Sequence, residues 1–329
     1  MTLALVMVHA AALAQDIQIR FDPQVAAATG IDAKQYEDQL RDEMSSSLSL
    51  EDQEAYMVEM ANATAMAIKG MGVDYASNPQ RVVVGYSFGS AVNASGAHFG
   101  WGDGITPTGG FSFQMAAMAG INFGLGAREK SAARRFLLYG NGFVGRRTME
   151  PFDTSLSNFG AHLQIKLVRP KMTAGMGWGG FDLTSGFEQT TYTMGLTEEI
   201  PLESGKMTWN ADGSYEIESK VNTIPIELST NVKVPMVSIF GGGAVDINLS
   251  GDATSSVRLE GPIEATVDGQ TANIGTASAS LDAAGLADSV VPRVFLGAQL
   301  NLWKFRTYGQ LNVGLNDSFG GHVGARLAI

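Results

Sequence analysis

The chain has 329 residues, a formal net charge of −11, 45% hydrophobic residues, 17% charged residues and 40 glycines. Heavy glycine with sparse charge suits β-rich architectures with many tight turns, and so acidic a chain offers no basic patch for nucleic-acid phosphates. It has no cysteine, which excludes disulfides, thiolate metal sites, cysteine nucleophiles and a lipidated N-terminal cysteine.

Residues Thr2 to Ala14 form an apolar, small-residue run that ends Ala12-Leu13-Ala14 before Gln15 and Asp16. An A-x-A site followed by a polar start reads as a signal peptide over residues 1–14, although no Lys or Arg precedes the run. His9 then has no role in the mature chain. The run is too short to span a bilayer, and no later stretch reaches the roughly 18 uncharged apolar residues of a membrane helix.

Residues 15–80 read as an acidic helical segment. Asp32, Glu37, Asp38, Asp42, Glu43, Glu51, Asp52, Glu54 and Glu59 face only Lys34, Arg41 and Lys69. Two helices are predicted, near 32–47 and 49–69, with Ser49 and Asp52 in capping-box positions for the second. Met57, Met60, Ala61, Thr64, Ala67 and Ile68 recur at helical spacing, and Gly70 and Gly72 stop the helix. This Met-rich stripe reads as a packing face, set against the periplasmic rim of a barrel or plugging its lumen. The acidic face reads as solvated.

Residues 81–329 alternate with period 2. Phe159, Ala161, Leu163, Ile165 and Leu167 interleave with Asn158, Gly160, His162, Gln164 and Lys166. Ile224, Ile226, Leu228, Val232 and Val234 interleave with Glu227, Ser229, Asn231 and Lys233. The pattern is clearest at the C-terminus, where Val294, Leu296, Ala298, Leu300 and Leu302 lie opposite Arg293, Gln299 and Asn301. Such alternation means one apolar and one polar face. A soluble sandwich shares it, but runs of about 10 to 14 residues match tilted membrane strands better than the usual soluble strand. The polar faces, rich in Gly, Asn, Gln and Ser, suit a lumen.

The predicted fold is therefore all-β: an antiparallel transmembrane β-barrel of roughly 10–14 strands over residues 81–329, preceded by the short helical segment. Its candidate lumen-facing residues are His162, Gln164, Lys166, Glu227, Lys233, Arg293, Arg306, Tyr308, Gln310, His322 and Arg326. Asp246 and Glu260 are assigned to the same face, whose mixed charge predicts no strong ion selectivity. A fourteen-strand parse places short periplasmic turns at Arg169-Pro170, Pro235 and Trp303-Lys304, and a long outward loop over 93–110. The connections near 126–133, 197–205 and 282–290 break that pattern, and apolar content falls between 250 and 290.

The last strand carries a more specific signal. His322-x-Gly324-x-x-Leu327-x-Ile329 resembles the assembly signal of bacterial outer-membrane β-barrel proteins, in which a polar residue and a Gly precede two hydrophobic positions at the chain end. The usual terminal residue there is aromatic; here it is Ile. The resemblance implies the outer membrane of a Gram-negative bacterium, with outer-membrane lipid and the barrel-assembly machinery as partners. A soluble periplasmic protein is the alternative.

Chemical motifs are few. Gly85-Tyr86-Ser87-Phe88-Gly89 matches G-x-S-x-G in form, but the residues after Gly89 continue a strand where a nucleophile elbow needs a helix. His98, His162 and His322 have no metal-ligand spacing, and Gly241-Gly242-Gly243 lacks the Lys and helix of a phosphate loop. No catalytic, cofactor or metal residue is assigned. The leading functional expectation is a channel or small-solute transporter of unknown substrate. A non-conducting structural or surface-interaction barrel is the alternative, and an outer-membrane enzyme acting on lipid, through Ser87, the third.

Overall fold

The computed structural model describes residues 14–22, 33–47, 50–76, 82–94, 100–101, 107–124, 131–173, 176–204, 207–267 and 270–329. His98 and the proposed signal peptide up to Leu13 lie outside them. The chain begins with β1 (Ala14–Phe21), α1 (Ala33–Ser47) and α2 (Leu50–Ala67). β2 (Val82–Asn93), the ribbon strands β3 (Gly100–Trp101) and β4 (Pro107–Thr108), β5 (Gly110–Asn122), β6 (Phe136–Met149), β7 (Phe152–Lys166) and β8 (Lys171–Thr173) follow. The long strands are β9 (Met176–Ser204), β10 (Met207–Val234) and β11 (Val237–Val267). β12 (Gln270–Leu286), β13 (Val290–Leu302), β14 (Phe305–Gly314) and β15 (Ser318–Ala328) complete the chain.

Every ladder is antiparallel, and the ladders close. β2, β5, β6, β7, β9, β10, β11, β13, β14 and β15 form a ring of ten strands, sealed where Val237–Ile247 of β11 pairs with β13. The β15–β2 seam extends to the last residue, with the Ile329 N–H donating to the Val82 carbonyl at 2.8 Å. Closure leaves no exposed edge in the ring. Outward positions are apolar: Phe88, Phe159, Leu228, Val294, Leu296 and Leu311 are all exposed. Inward positions carry the polar residues.

The fourteen-strand parse is corrected here. β9, β10 and β11 run for 29, 28 and 31 residues, where the parse has shorter strands near 172–183, 187–196, 206–217, 223–234, 236–249 and 254–267. Each spans the barrel wall and continues beyond it. Above the rim these strands join β12 and β1 in the order β1-β12-β11-β10-β9, a sheet we call the platform. The proposed connections near 197–205 and 282–290 are mostly strand. β12 pairs with Asp252–Val267, and after the break at 287–289 β13 takes over the same flank of β11 at barrel level.

A bulge marks the transition. Asn222 pairs with Ser250 and Thr223 with Asn248, so Leu249 is an extra residue on β11. A bulge at a barrel rim re-aims a strand, and this one also switches which parity of β11 faces inward. Below it, Ala244 and Asp246 are buried; above it, Ala253, Val257 and Leu259 are. The outward face changes chemistry at the same level. Ile226 and Leu228 give way to exposed Lys220, Glu218, Glu216 and Asp212 on β10. Glu260, assigned from sequence to the lumen, is exposed on this outer platform face, because the bulge moved its parity outward.

The platform has its own core. Leu40 and Met44 of α1 pack with Met207, Trp209, Val257, Leu259, Ile263, Ile274 and Leu281, and Ile17, Ile19 and Phe21 of β1 adjoin them. The Tyr215 hydroxyl donates to Gln53 Oε1 at 3.2 Å, and burial pushes its pKa well above the usual phenol range.

Candidate functional site: a lumen threaded by its own chain

The barrel ring encloses α2 and the chain that follows it. Every residue from Met60 to Ala76 is buried. A helix buried on all faces belongs inside a protein, not on its surface. Its start lies at the platform end: Tyr56, Met57, Met60 and Ala61 pack with Leu156, Tyr192, Ile217, Ala253 and Ala283. Asn62 donates to Asp288 Oδ2 at 3.1 Å and accepts from the Asp288 N–H at 2.9 Å, tying the helix to the β12–β13 break. Farther down, Met66 and Ala67 meet Ala91, and Ile68 and Met71 meet Ala116. Val73, Tyr75 and Ala76 reach Val83 and Ala328, at the barrel ends of β2 and β15. The helical segment thus starts at the rim opposite the C-terminus. Of the two placements read from sequence, against the barrel rim or plugging the lumen, the structure shows the second.

The passage is cut to fit. A Cβ on Gly285 would sit 2.3 Å from Val58 N, and one on Gly110 would sit 2.1 Å from the Glu59 carbonyl carbon. Both obstacles are helix backbone, so only glycine permits the approach. Gly70 ends the helix at φ +82°, the left-handed conformation of a helix C-terminus.

Charged anchors then fix the segment axially. Lys69 Nζ lies 2.6 Å from Glu188 Oε2, with both side chains buried. His162 Nε2 lies 3.7 Å from the other oxygen of Glu188 and 3.3 Å from Asn141 Oδ1. Asp74 Oδ1 meets Arg326 at 2.8 Å, and the Arg326 guanidinium stacks 3.6 Å from the Tyr308 ring centroid. The Tyr75 hydroxyl donates to Glu227, while its carbonyl accepts from Asn231 Nδ2 at 2.8 Å. Asn312 Nδ2 donates to the Lys69 carbonyl at 3.2 Å.

The wall also pairs charges within itself. Arg293 donates from Nε to Asp246 at 2.8 Å, from one terminal nitrogen to Asn312 at 2.7 Å, and from the other to Glu227. Lys166 Nζ lies 3.2 Å from Asp182.

Of the residues assigned from sequence to the lumen, the structure buries His162, Gln164, Lys166, Glu227, Arg293, Tyr308, Gln310, His322 and Arg326. Lys233 and Arg306 are half-buried, and both lie near the base. Within the terminal motif His322 is buried, while Leu327 and Ile329 are exposed on the apolar exterior. Lys69, Asp74, Tyr75, Glu188 and Asp182 were missed. The available signal was Lys69 itself, a lone charge between Ala67-Ile68 and Gly70-Met71.

Ser87 is buried and its Oγ bonds to no histidine, which removes the context a serine nucleophile needs. Among the described residues no three His, Cys, Asp or Glu side chains cluster as metal ligands.

The family model of Lsa36-like proteins matches residues 24–329. The chain belongs to the Lsa36-like family. Its match begins beyond β1 and takes in both helices and the whole barrel. No curated protein matches this Lsa36-like chain. Among solved structures, it is similar to the translocator domain of autotransporter NalP from Neisseria meningitidis at 10% identity, covering 77% of this chain and 89% of that one, with a TM-score of 0.31. It is also similar to the CymD monoaromatic hydrocarbon channel, at 8% identity over 82% and 98% of the two chains and a TM-score of 0.26. The toluene transporter TbuX of Ralstonia pickettii gives 8% identity over 83% and 93%, at 0.26. These structures are outer-membrane β-barrel proteins.

Proposed function

We propose that this protein is an outer-membrane barrel of a Gram-negative envelope, closed by its own chain, whose work is to hold the platform at the cell surface. The observation that carries this reading is the unbroken burial from Met60 to Ala76 inside the ring. A small-solute channel, the first expectation from sequence, needs this segment to leave a lumen in which its charges are paired.

Membrane insertion is supported by the exterior. Exposed apolar residues on so many strands far exceed what a soluble monomer leaves to water. Tight turns at Pro235-Met236 and Trp303-Lys304 end one side of the barrel, whereas the platform rises on the other. Short turns face the periplasm in this class, which assigns the platform to the outside. Outer-membrane lipid then contacts the apolar belt. The barrel-assembly machinery reads the final strand, with His322, Gly324, Leu327 and Ile329 as its signal, after export on a signal peptide over residues 1–14.

Planar-bilayer recording tests closure. The purified, folded protein is expected to be silent, and removal of residues 50–76 to produce steady current. A wild-type protein that conducts steadily would overturn the closed-barrel reading in favour of the channel.

A further inference from the structure

The direction of the threaded segment has a consequence for how the chain is placed across the membrane. α2 enters the ring from the platform end and Ala76 leaves near Val83 and Ala328. β1 and α1, ahead of α2, therefore lie on the side opposite the C-terminus. This N-terminal part is built into the platform. β1 pairs with β12 from Ala14↔Asp282 to Phe21↔Gly275, and Leu40 and Met44 sit in the platform core. Arg41 donates to the Ile17 carbonyl at 3.2 Å, joining α1 to β1.

The membrane reading proposed above, on which this step rests, makes that side the outside. A chain delivered from the periplasm must then move residues 15 to about 50 across the membrane. Asp16, Arg20, Asp22, Lys34, Glu37, Asp38, Arg41, Asp42 and Glu43 fall in that stretch, and charged side chains are strongly unfavourable in hydrocarbon. Lipid is not a path for them. The lumen is a polar path, and the chain already occupies it.

We infer that the barrel carries its own N-terminal segment to the cell surface through its lumen, and that α2 with Ile68–Ala76 is the length of chain left in the passage. The glycines at 110 and 285 give the moving chain clearance. Lys69, Asp74 and Tyr75 stop it where Glu188, Arg326 and Glu227 take them up. The folded platform then prevents return.

Epitope accessibility on intact cells tests this. One epitope is inserted between Ala14 and Gln15, another between Trp303 and Lys304 in a separate chain. The first should bind antibody on intact cells, and the second only after permeabilisation. A third chain carries a small domain closed by a disulfide between the first epitope and Gln15. Its intact-cell signal should be lost, and should return when cells grow with reductant, while the barrel remains heat-modifiable throughout. An N-terminal epitope hidden in intact cells refutes the inference but spares the membrane reading. A locked domain displayed without reductant refutes the lumen as the path. A protein recovered in the soluble fraction refutes the membrane reading, and the inference with it.

Discussion

Replacing Lys69 with Met probes the closure at a buried ion pair between the threaded segment and the wall. Met keeps much of the aliphatic stem and removes only the ammonium. At an effective dielectric near 20, unit charges about 3 Å apart attract by roughly 5–6 kcal/mol. Desolvating both offsets most of that gain, so the intact pair contributes little net stability. Removing one partner is different. Glu188 would be left in the lumen with only His162 at 3.7 Å, and leaving a buried charge unpaired costs about 3–5 kcal/mol. If that loss falls on the threaded segment rather than on the whole barrel, the released state should rise by a factor on the order of 10² to several times 10³. Hydrogen exchange of the amides from Met60 to Ala76 reads this directly, because local opening sets their rates. Lys69→Met should accelerate exchange there and leave the β13 and β14 amides unchanged. Lys69→Met combined with Glu188→Leu should restore slow exchange, since both charges are then gone. Unchanged exchange in the single variant would refute the anchor, and equal acceleration in the double would refute the unpaired-charge explanation.

Other perturbations separate belt, passage and platform. Leu296→Arg places a cation at the middle of β13 on the apolar exterior and should cost about 2–4 kcal/mol in bilayer unfolding. Ser214→Arg on the outer platform face should stay within about 0.5 kcal/mol; equal costs would contradict the membrane boundary at the bulge. Gly285→Val must displace the backbone near Val58 and should destabilise the threaded segment by about 1–3 kcal/mol. Gly140→Ala is the control for that variant, because its Cβ would find its nearest atom at 3.7 Å; indistinguishable denaturation curves for the two would remove the close-packing claim. At the tip of the β6–β7 hairpin, hydrogen bonding from Arg146 holds the Asp153 carboxyl below its usual pKa. A lowered folded value means that this pair stabilises the hairpin above the ordinary carboxylate pKa of about 3.9 and ceases to as pH falls through the lowered value. Side-chain carboxyl shifts should titrate accordingly, and Arg146→Gln should return the midpoint to the ordinary range.

The period-2 pattern made the ring legible because each wall strand has one apolar face turned outward and one polar face turned to the lumen. The same logic failed above the rim. Glu198-Glu199-Ile200-Pro201 on β9 and Ser250-Gly251-Asp252 on β11 look like turns, since their outward residues turn polar above the rim. They are continuous strand. A local pattern cannot distinguish a bulge at Leu249 from the end of one strand and the start of another. The helices were legible from apolar spacing, and lie over Ala33–Ser47 and Leu50–Ala67; Ser49, the predicted cap, lies outside the described residues. Their location was left between the rim and the lumen, because nothing in a Met- and Ala-rich stripe says which of the two it packs against. β1 was missed altogether, being an eight-residue strand whose partner, β12, lies more than 250 positions away.

The apolar and polar parts of the threaded segment divide the work of closing the barrel. Met57, Met60 and Ala61 fill space against Leu156, Ile217 and Ala283, but flexible Met side chains specify position poorly. An apolar helix in an apolar sleeve could slip by a turn, about 5.4 Å, and still bury its surface. Slippage by that distance would separate Lys69 from Glu188 and Asp74 from Arg326 together, leaving four buried charges unpaired. The ion pairs therefore contribute register more than net stability, the role for which buried charge is best suited. The polar ends of the same segment also explain why the lumen wall is not simply hydrophobic. Glu188, Glu227 and Arg326 have no solvent to face, and each is matched to a group on the chain that fills the ring. A wall built only to pass solutes would have no reason to complement Lys69, Asp74 and Tyr75 of the threaded segment. That complementarity ties the closed state to the barrel's own sequence.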